Sequence, residues 1–180
     1  AGINAALQIQ NKPPFVLTRE SSYIGTLIDD LVTKGTEEPY RIMTSRSEYR
    51  LLHRQDNADQ RLCAIGAEIG LVPPERLQAV EEKYAAVRRE IQRLESTGVA
   101  ASDALNALLT ARDTAPVANS ARLADLMRRP QITYADIAPF DPGRPDLPES
   151  ITEEVEIQLK YAGYLARQEK QVAEFKKEEQ

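Results

Sequence analysis

The chain has 180 residues, of which 42% are hydrophobic and 28% are charged, and its formal net charge at pH 7 is −5. These totals indicate one moderate or two small soluble domains, and they exclude a uniformly basic nucleic-acid-binding protein while leaving room for a local basic patch. The single cysteine excludes an intrachain disulfide, which fits a reducing compartment, and no apolar run approaches the roughly 20 residues of a membrane span.

Both ends of the sequence have the pattern of interrupted helices. The chain opens with AGINAALQIQNK and closes with EKQVAEFKKEEQ, and neither stretch has the residues that cap a complete helix. We therefore expect this chain to be a piece of a longer protein.

The first quarter of the chain predicts a helix end, an extended segment and a second helix. Residues 1–10 have a helical pattern that two prolines stop, and residues 15–18 are expected to be extended. A second helix is predicted after Ser22, and Gly35 is expected to follow its end. Its apolar face comprises Tyr23, Leu27, Ile28 and Leu31.

The segment EPYRIMTSRSEYRLLHRQDNAD, residues 38–59, is the most unusual in the chain. Ser45 and Glu48 have the spacing of a capping box, which predicts a helix over about 46–55. On such a helix, three arginines lie on one face with no carboxylate three or four residues away, namely Arg46, Arg50 and Arg54. Because like charges at this spacing repel each other, the stripe requires anions from elsewhere.

Two interpretations of the arginines stay open at the level of residue types. The first is an internal salt-bridge network with Asp29, Asp30, Asp56 or Asp59. The second is an anion site, because guanidinium groups bind phosphate oxygens bidentately, and Arg41 and Arg61 are further candidates for it. The polar cluster QDNAD, residues 55–59, is expected to be a capped turn between helices or a set of ligand contacts, and His53 is expected to be structural.

The rest of the chain predicts helices. Asn57 and Gln60 repeat the capping spacing before a helix that ends near Gly70. Nearly three heptads then predict one long amphipathic helix ended by Gly98, with a stripe of Leu77, Val80, Tyr84, Val87, Ile91 and Leu94.

The last third predicts short capped helices, a linker and a long helix. Ser102, Ser120 and Thr133 are each expected to begin a short helix. Prolines every three residues indicate a semi-rigid extended connector at 139–149, and residues 150–180 predict a long helix. Almost nothing alternates with a period of two, so the fold class is expected to be all-α.

The long motif YR-x-MTSR-x-EYRLL-x-RQDNAD, together with AGINAAL and RLCAIGAEIGLV, resembles a known family. It is the MnmG/GidA family, the large FAD-binding subunit of bacterial tRNA uridine 5-carboxymethylaminomethyl modification enzymes. The resemblance is strongest over residues 1–72. The later helices, including ITEEVEIQLKYAGYLARQEKQV, agree in type and order.

The resemblance implies an enzyme that adds a carboxymethylaminomethyl group to C5 of the wobble uridine in certain tRNAs. The family uses FAD, NADH, a methylene-tetrahydrofolate carbon and a GTPase partner subunit, MnmE. Its dinucleotide-binding glycines and catalytic cysteines lie upstream of the matched region, so this chain alone is expected to be inactive and to serve tRNA and partner recognition. The full-length protein is expected to be a cytoplasmic homodimer.

The family's functional positions can be carried over one by one. The family's arginine positions correspond to Arg41, Arg46, Arg50 and Arg54, and its DNAD motif corresponds to Asp56, Asn57 and Asp59. His53 stands where leucine is common, which argues against a general base. The resemblance favours arginines that face the flavin–substrate cleft and the tRNA anticodon arm. Weaker candidates for contacts with the tRNA backbone are Arg61, Arg88, Arg89 and Arg93.

The competing interpretation is a helical module that docks the GTPase and contacts no nucleic acid, which fits the acidic net charge. In either case we expect an all-α, elongated helical bundle after a remnant of an α/β flavin-binding domain. The expected divisions are a flavin-domain remnant at 1–20, a helical domain with the arginine motif at 21–138, the linker at 139–149 and a helix at 150–180 that leads to a terminal subdomain.

Overall fold

The computed structural model describes residues 1–178, with side chains described through Arg167. Its helices are α1 (Gly2–Ile9), α2 (Tyr23–Thr33), α3 (Ala58–Glu68), α4 (Pro74–Ser96), α5 (Asp103–Ala111), α6 (Leu123–Met127) and α7 (Glu149–Glu178). Two strands of two residues each, β1 (Gly98–Val99) and β2 (Ala121–Arg122), pair antiparallel with Gly98 opposite Arg122. The predicted all-α class is confirmed. Over this part of the chain no helix combines the length and apolarity that crossing a bilayer requires.

Packing divides the chain into two compact units, one built on Ala1–Ala58 and the other formed by Asp59–Arg167. The boundary between these packing units falls at the start of α3, and the domain divisions expected near residues 20, 138 and 149 stay a prediction. The proline-rich segment 139–149 lies within the second unit, because the side chain of Asp141 is buried and accepts a hydrogen bond from Arg93.

Local side-chain bonds shape the first unit. The amide of Asn4 on α1 pairs with the backbone of Phe15, donating to its carbonyl at 2.8 Å and accepting from its N–H at 2.7 Å. Ser22 caps α2, as predicted, because its Oγ accepts a hydrogen bond from the N–H of Gly25 at 3.0 Å. Gly35 follows the helix with a φ of +67°, the left-handed conformation that glycine adopts without strain.

The main hydrophobic core lies in the second unit and confirms the heptad pattern of α4. Tyr84, Val87 and Leu94 are buried, and Ile91 packs against the core from its edge. Helix α5 begins at the predicted cap, where the Oγ of Ser102 accepts from a backbone N–H. The other buried apolar residues of this core are Leu105, Leu109, Leu123, Ala124, Leu126, Met127, Ile132, Tyr134, Ile137, Val155 and Leu159.

Two predicted helix starts in the second unit are wrong. Helix α6 does not begin at Ser120, because pairing with β1 keeps the chain extended through Arg122. At Thr133, the expected cap bond forms, since Asp136 Oδ2 accepts from the Thr133 N–H at 2.9 Å. The chain then makes turns and a single 3-10 helix, Ala138–Phe140, instead of an α-helix.

Candidate functional site

The arginine segment folds as turns, so the predicted helix over 46–55 is wrong. A 3-10 turn, Thr44–Arg46, is followed by turns in which the N–H groups of Leu52 and His53 donate to the carbonyl of Tyr49, at 2.8 and 3.1 Å. The three arginines therefore do not lie along one face of a helix. Each of them has different surroundings.

Tertiary contacts prevail over the capping box in this segment. The carboxylate of Glu48 accepts hydrogen bonds from Arg19 Nη2 at 2.7 and 3.0 Å and caps no helix. Ser47 and His53 are buried. The Nε2 of His53 lies 2.8 Å from the carbonyl oxygen of Glu20, which only accepts, so Nε2 carries the proton. His53 is therefore engaged in holding the turn, as expected of a structural histidine.

Arg19 is the centre of a network that the sequence analysis missed. Its Nη1 donates to Asp29 at 2.9 Å and to Asp30 at 2.7 Å. Asp30, whose side chain is 5% exposed, also accepts from Lys34 at 2.9 Å and from the hydroxyl of Tyr40 at 2.8 Å. Hydrogen bonds from Lys34 and Arg19 outweigh burial and hold the pKa of Asp30 well below its usual range. The sequence analysis named Asp29 and Asp30 as candidate partners of arginines but did not identify Arg19.

Three of the predicted site arginines, Arg41, Arg46 and Arg50, are exposed. The guanidinium of Arg46 lies over the ring of Tyr40, 4.6 Å from its centroid. Among the residues whose side chains are described, no carboxylate forms an ion pair with any of the three. They are the members of the segment that present a positive charge to solvent.

Arg54, in contrast, is held inside the segment. Its Nε and Nη2 donate to the carboxylate of Asp56 at 3.1 and 2.9 Å, and its Nη1 donates to the carbonyl of Leu51. Asn57 donates to the carbonyl of Leu52 at 3.0 Å. These side chains shape the turn that leads into α3, so the internal-network interpretation describes Arg54 correctly.

The weaker candidates of the second unit also differ from one another. Arg88 and Arg89 are exposed on α4, and Arg61 is partly buried on α3. Arg93 donates to the buried carboxylates of Glu90, at 2.8 and 2.7 Å, and Asp141, at 2.9 Å. Arg93 therefore ties α4 to the proline-rich segment, and its guanidinium is committed to these two acids.

Glu90 has a second partner, which sequence reasoning did not identify. The hydroxyl of Tyr134 donates to Glu90 at 2.8 Å. Burial, reinforced by this bond to a carboxylate, raises the pKa of Tyr134 to about 12. Tyr134 therefore stays neutral at physiological pH and acts as a hydrogen-bond donor within the core.

Known proteins place this arrangement in a family. A profile described as the tRNA modifying enzyme MnmG/GidA C-terminal helical domain matches residues 74–169. The tRNA uridine 5-carboxymethylaminomethyl modification enzymes MnmG of Caldicellulosiruptor saccharolyticus and of Lachnoclostridium phytofermentans are each 51% identical to this chain over 98% of its length. The chain belongs to the MnmG/GidA family. It spans 28% of the length of these two MnmG relatives.

Crystal structures of GidA from Aquifex aeolicus have the same fold. The form II crystal matches with a TM-score of 0.83 at 40% identity, covering 98% of this chain and 27% of that GidA chain. The form I crystal matches with a TM-score of 0.79 at 42% identity, covering 98% and 26%. The resemblance inferred from the arginine motif is thus confirmed, and residues 74–169 lie in the family's C-terminal helical domain.

Proposed function

We propose that this chain is part of a flavin-dependent enzyme that installs a carboxymethylaminomethyl group at C5 of the wobble uridine in tRNA, and that it contributes to tRNA recognition. Membership of the MnmG family supports the activity, since the relatives are named for this modification. The observation that carries the recognition role is the exposure of Arg41, Arg46 and Arg50 without a carboxylate partner among the described side chains.

Each group of residues receives a different role in this proposal. Arg46 and Arg50 bind phosphate oxygens, for which the forked guanidinium is suited, and Arg41 lies near the flavin–substrate cleft. Stacking on Tyr40 restricts the rotamers of Arg46 before binding, which lowers the entropy cost of ordering that side chain. Arg54, Asp56 and Asn57 hold the turn that presents these arginines.

The cofactors and protein partners belong to the longer protein in this proposal. The glycines of this chain are scattered and form no G-x-G-x-x-G loop, so we assign none of its residues to the phosphates of FAD or NADH. When bound, the flavin and nicotinamide supply redox chemistry. The GTPase subunit MnmE, a homodimeric assembly and a cytoplasmic location are further parts of the same proposal.

Salt dependence of tRNA binding tests the recognition role. We expect the Arg46→Ala/Arg50→Ala variant of the full-length protein to bind a wobble-uridine tRNA with about tenfold lower affinity for each arginine removed. The slope of log K against log salt should become less steep by roughly 0.7–0.9 for each phosphate that is no longer neutralised, because fewer counterions are released. The measurement is a tRNA titration at three or more salt concentrations.

Two further variants serve as controls. Arg122→Ala removes an exposed arginine from the second unit and should leave affinity and slope unchanged. Arg54→Ala should lower the melting temperature, because it removes the ion pair between Arg54 and Asp56, with a smaller change in slope. Wild-type affinity and slope in the Arg46/Arg50 variant would instead support the helical module that docks the GTPase through apolar contacts.

A further inference from the structure

Helix α2 buries two of its polar residues and exposes several of its apolar ones. Thr26 and Asp30 are 2% and 4% exposed, whereas Ile24, Ile28 and Val32 are 61%, 50% and 78% exposed. The three apolar residues are spaced by four, so they follow one another along a single face of the helix. This pattern is the reverse of the usual amphipathic helix, whose apolar stripe faces the core.

The orientation of α2 is fixed by the first unit itself. Asp30 is bonded to Arg19, Lys34 and Tyr40, and turning the helix would strip a buried carboxylate of these partners. At Gly25 the helix touches the backbone before it so closely that an added Cβ would lie 1.9 Å from the carbonyl oxygen of Thr18. The fold of this unit therefore requires the exposed apolar face, because these contacts prevent the helix from rotating to bury it.

We propose that the α2 apolar face, defined as Ile24, Ile28, Leu31 and Val32, packs against polypeptide of the longer protein that lies outside these 180 residues. The chain spans only 28% of the length of its MnmG relatives, so almost three quarters of such a protein is available to cover this face. Burying these side chains removes apolar surface from water, which stabilises the longer protein. The proposal rests on family membership and is independent of tRNA contact.

A second copy of this chain fits the face less well. At the observed exposures, the four side chains offer an area on the order of 400 Å², about half of the ~800 Å² that each partner contributes to a stable interface. A surface continuous with the rest of the same polypeptide has no such minimum, because the chain connection spares the entropy cost of association.

The direction in which Val32→Ala shifts the urea midpoint of unfolding of the full-length protein tests the proposal. On an open helix face, alanine replaces a β-branched residue and raises helix propensity, so the urea midpoint of unfolding should stay unchanged or rise. On a covered face, the substitution opens a cavity and the midpoint should fall. We expect a fall for Val32→Ala and for Ile28→Ala, and an unchanged or raised midpoint for both would overturn the proposal.

A charged substitution and the native mass identify the occupant. Ile28→Asp should lower the midpoint further, whereas the matched control Leu71→Asp, at a residue 65% exposed outside this face, should not. The native mass of these variants, measured by analytical ultracentrifugation at two concentrations, should equal that of the wild type. A lower mass for the α2 variants alone would show that a second copy covers the face, and would overturn our assignment of the occupant. Neither result alters the expected tRNA salt slope.

Discussion

Asp30 is a carboxylate of the first unit that three side chains bind at once. Lys34, Arg19 and Tyr40 all donate to it although its side chain is almost fully buried. A buried carboxylate is stable only when its oxygens are paired, so this residue fixes both the end of α2 and the position of Arg19. Through Glu48, Arg19 in turn holds the turn that carries the exposed arginines.

The lowered pKa of Asp30 predicts an acid-sensitive first unit. The folded-state pKa lies below the unfolded value of 3.8, so the stabilising effect is complete at neutral pH and disappears as the pH falls below about 4 towards the folded pKa. We expect Asp30→Asn to lower the free energy of unfolding at pH 7 by about 2 kcal/mol and to reduce the loss of stability between pH 5 and pH 3. Urea titrations at these pH values measure both effects.

Asp29→Asn is the matched control for this prediction, because Asp29 also accepts from Arg19 but is considerably more exposed. It should change the free energy of unfolding by less than about 1 kcal/mol at any pH, as exposed ion pairs contribute little. Equal effects of the two substitutions would contradict the central role of Asp30.

Two glycines within helices have opposite reasons to be there. Gly25 in α2 allows the helix to approach the backbone at Thr18, where a Cβ would lie 1.9 Å from the carbonyl oxygen. At Gly163 in α7, no described atom outside its chain neighbours and its own helix backbone lies within 4 Å of the position that a Cβ would take. The first glycine is required by packing between elements, whereas the second only weakens its helix.

Alanine substitutions at the two glycines should therefore change the free energy of unfolding in opposite directions. Gly25→Ala should lower the free energy of unfolding by about 3 kcal/mol or more, because backbone has to move to relieve the contact. Gly163→Ala should raise it by roughly 0.5–1 kcal/mol through helix propensity. Thermal and urea unfolding of both variants provide the measurement, and stabilisation by Gly25→Ala would show that α2 is not packed against residues 17 and 18.

The helices differ in how far their sequence predicted them. Helix α4 was predictable because its apolar residues repeat every three and four positions and because its backbone groups form hydrogen bonds within the helix itself. The start of helix α6 and the arginine turns were not, because strand pairing and the Arg19–Glu48 bond join residues distant in sequence. A cap signature gives a local preference of about 1 kcal/mol, which several tertiary bonds readily exceed.

On the scale of the whole molecule, a net charge of −5 opposes the approach of a polyanion except at local groups of arginines. Arg88 and Arg89 form such a group on α4, where both are exposed. We expect Arg88→Ala/Arg89→Ala in the full-length protein to weaken tRNA binding by a fewfold and to reduce the salt slope by about 1. The same tRNA titration at several salt concentrations measures this change.

Gln92→Ala provides the control, because it truncates an exposed neutral side chain on the same helix without changing charge. Its affinity and slope should equal those of the wild type. A wild-type slope in the Arg88/Arg89 variant would exclude these two arginines from the RNA contacts of this chain.

The sequence by itself determined the family, the all-α class, the heptad helix and the caps at Ser22 and Ser102. Each of these depends on residue identity or on neighbours within one or two helical turns. Only the tertiary structure decided which arginines stay exposed and which bind internal acids. Arg46, Arg50 and Arg54 are equally spaced along the chain, but among the residues whose side chains the structure describes, Arg54 alone of the three forms an ion pair with a carboxylate. Side-chain pairing depends on positions in space. A spacing of four residues brings side chains together only within an α-helix, and this segment does not form an α-helix.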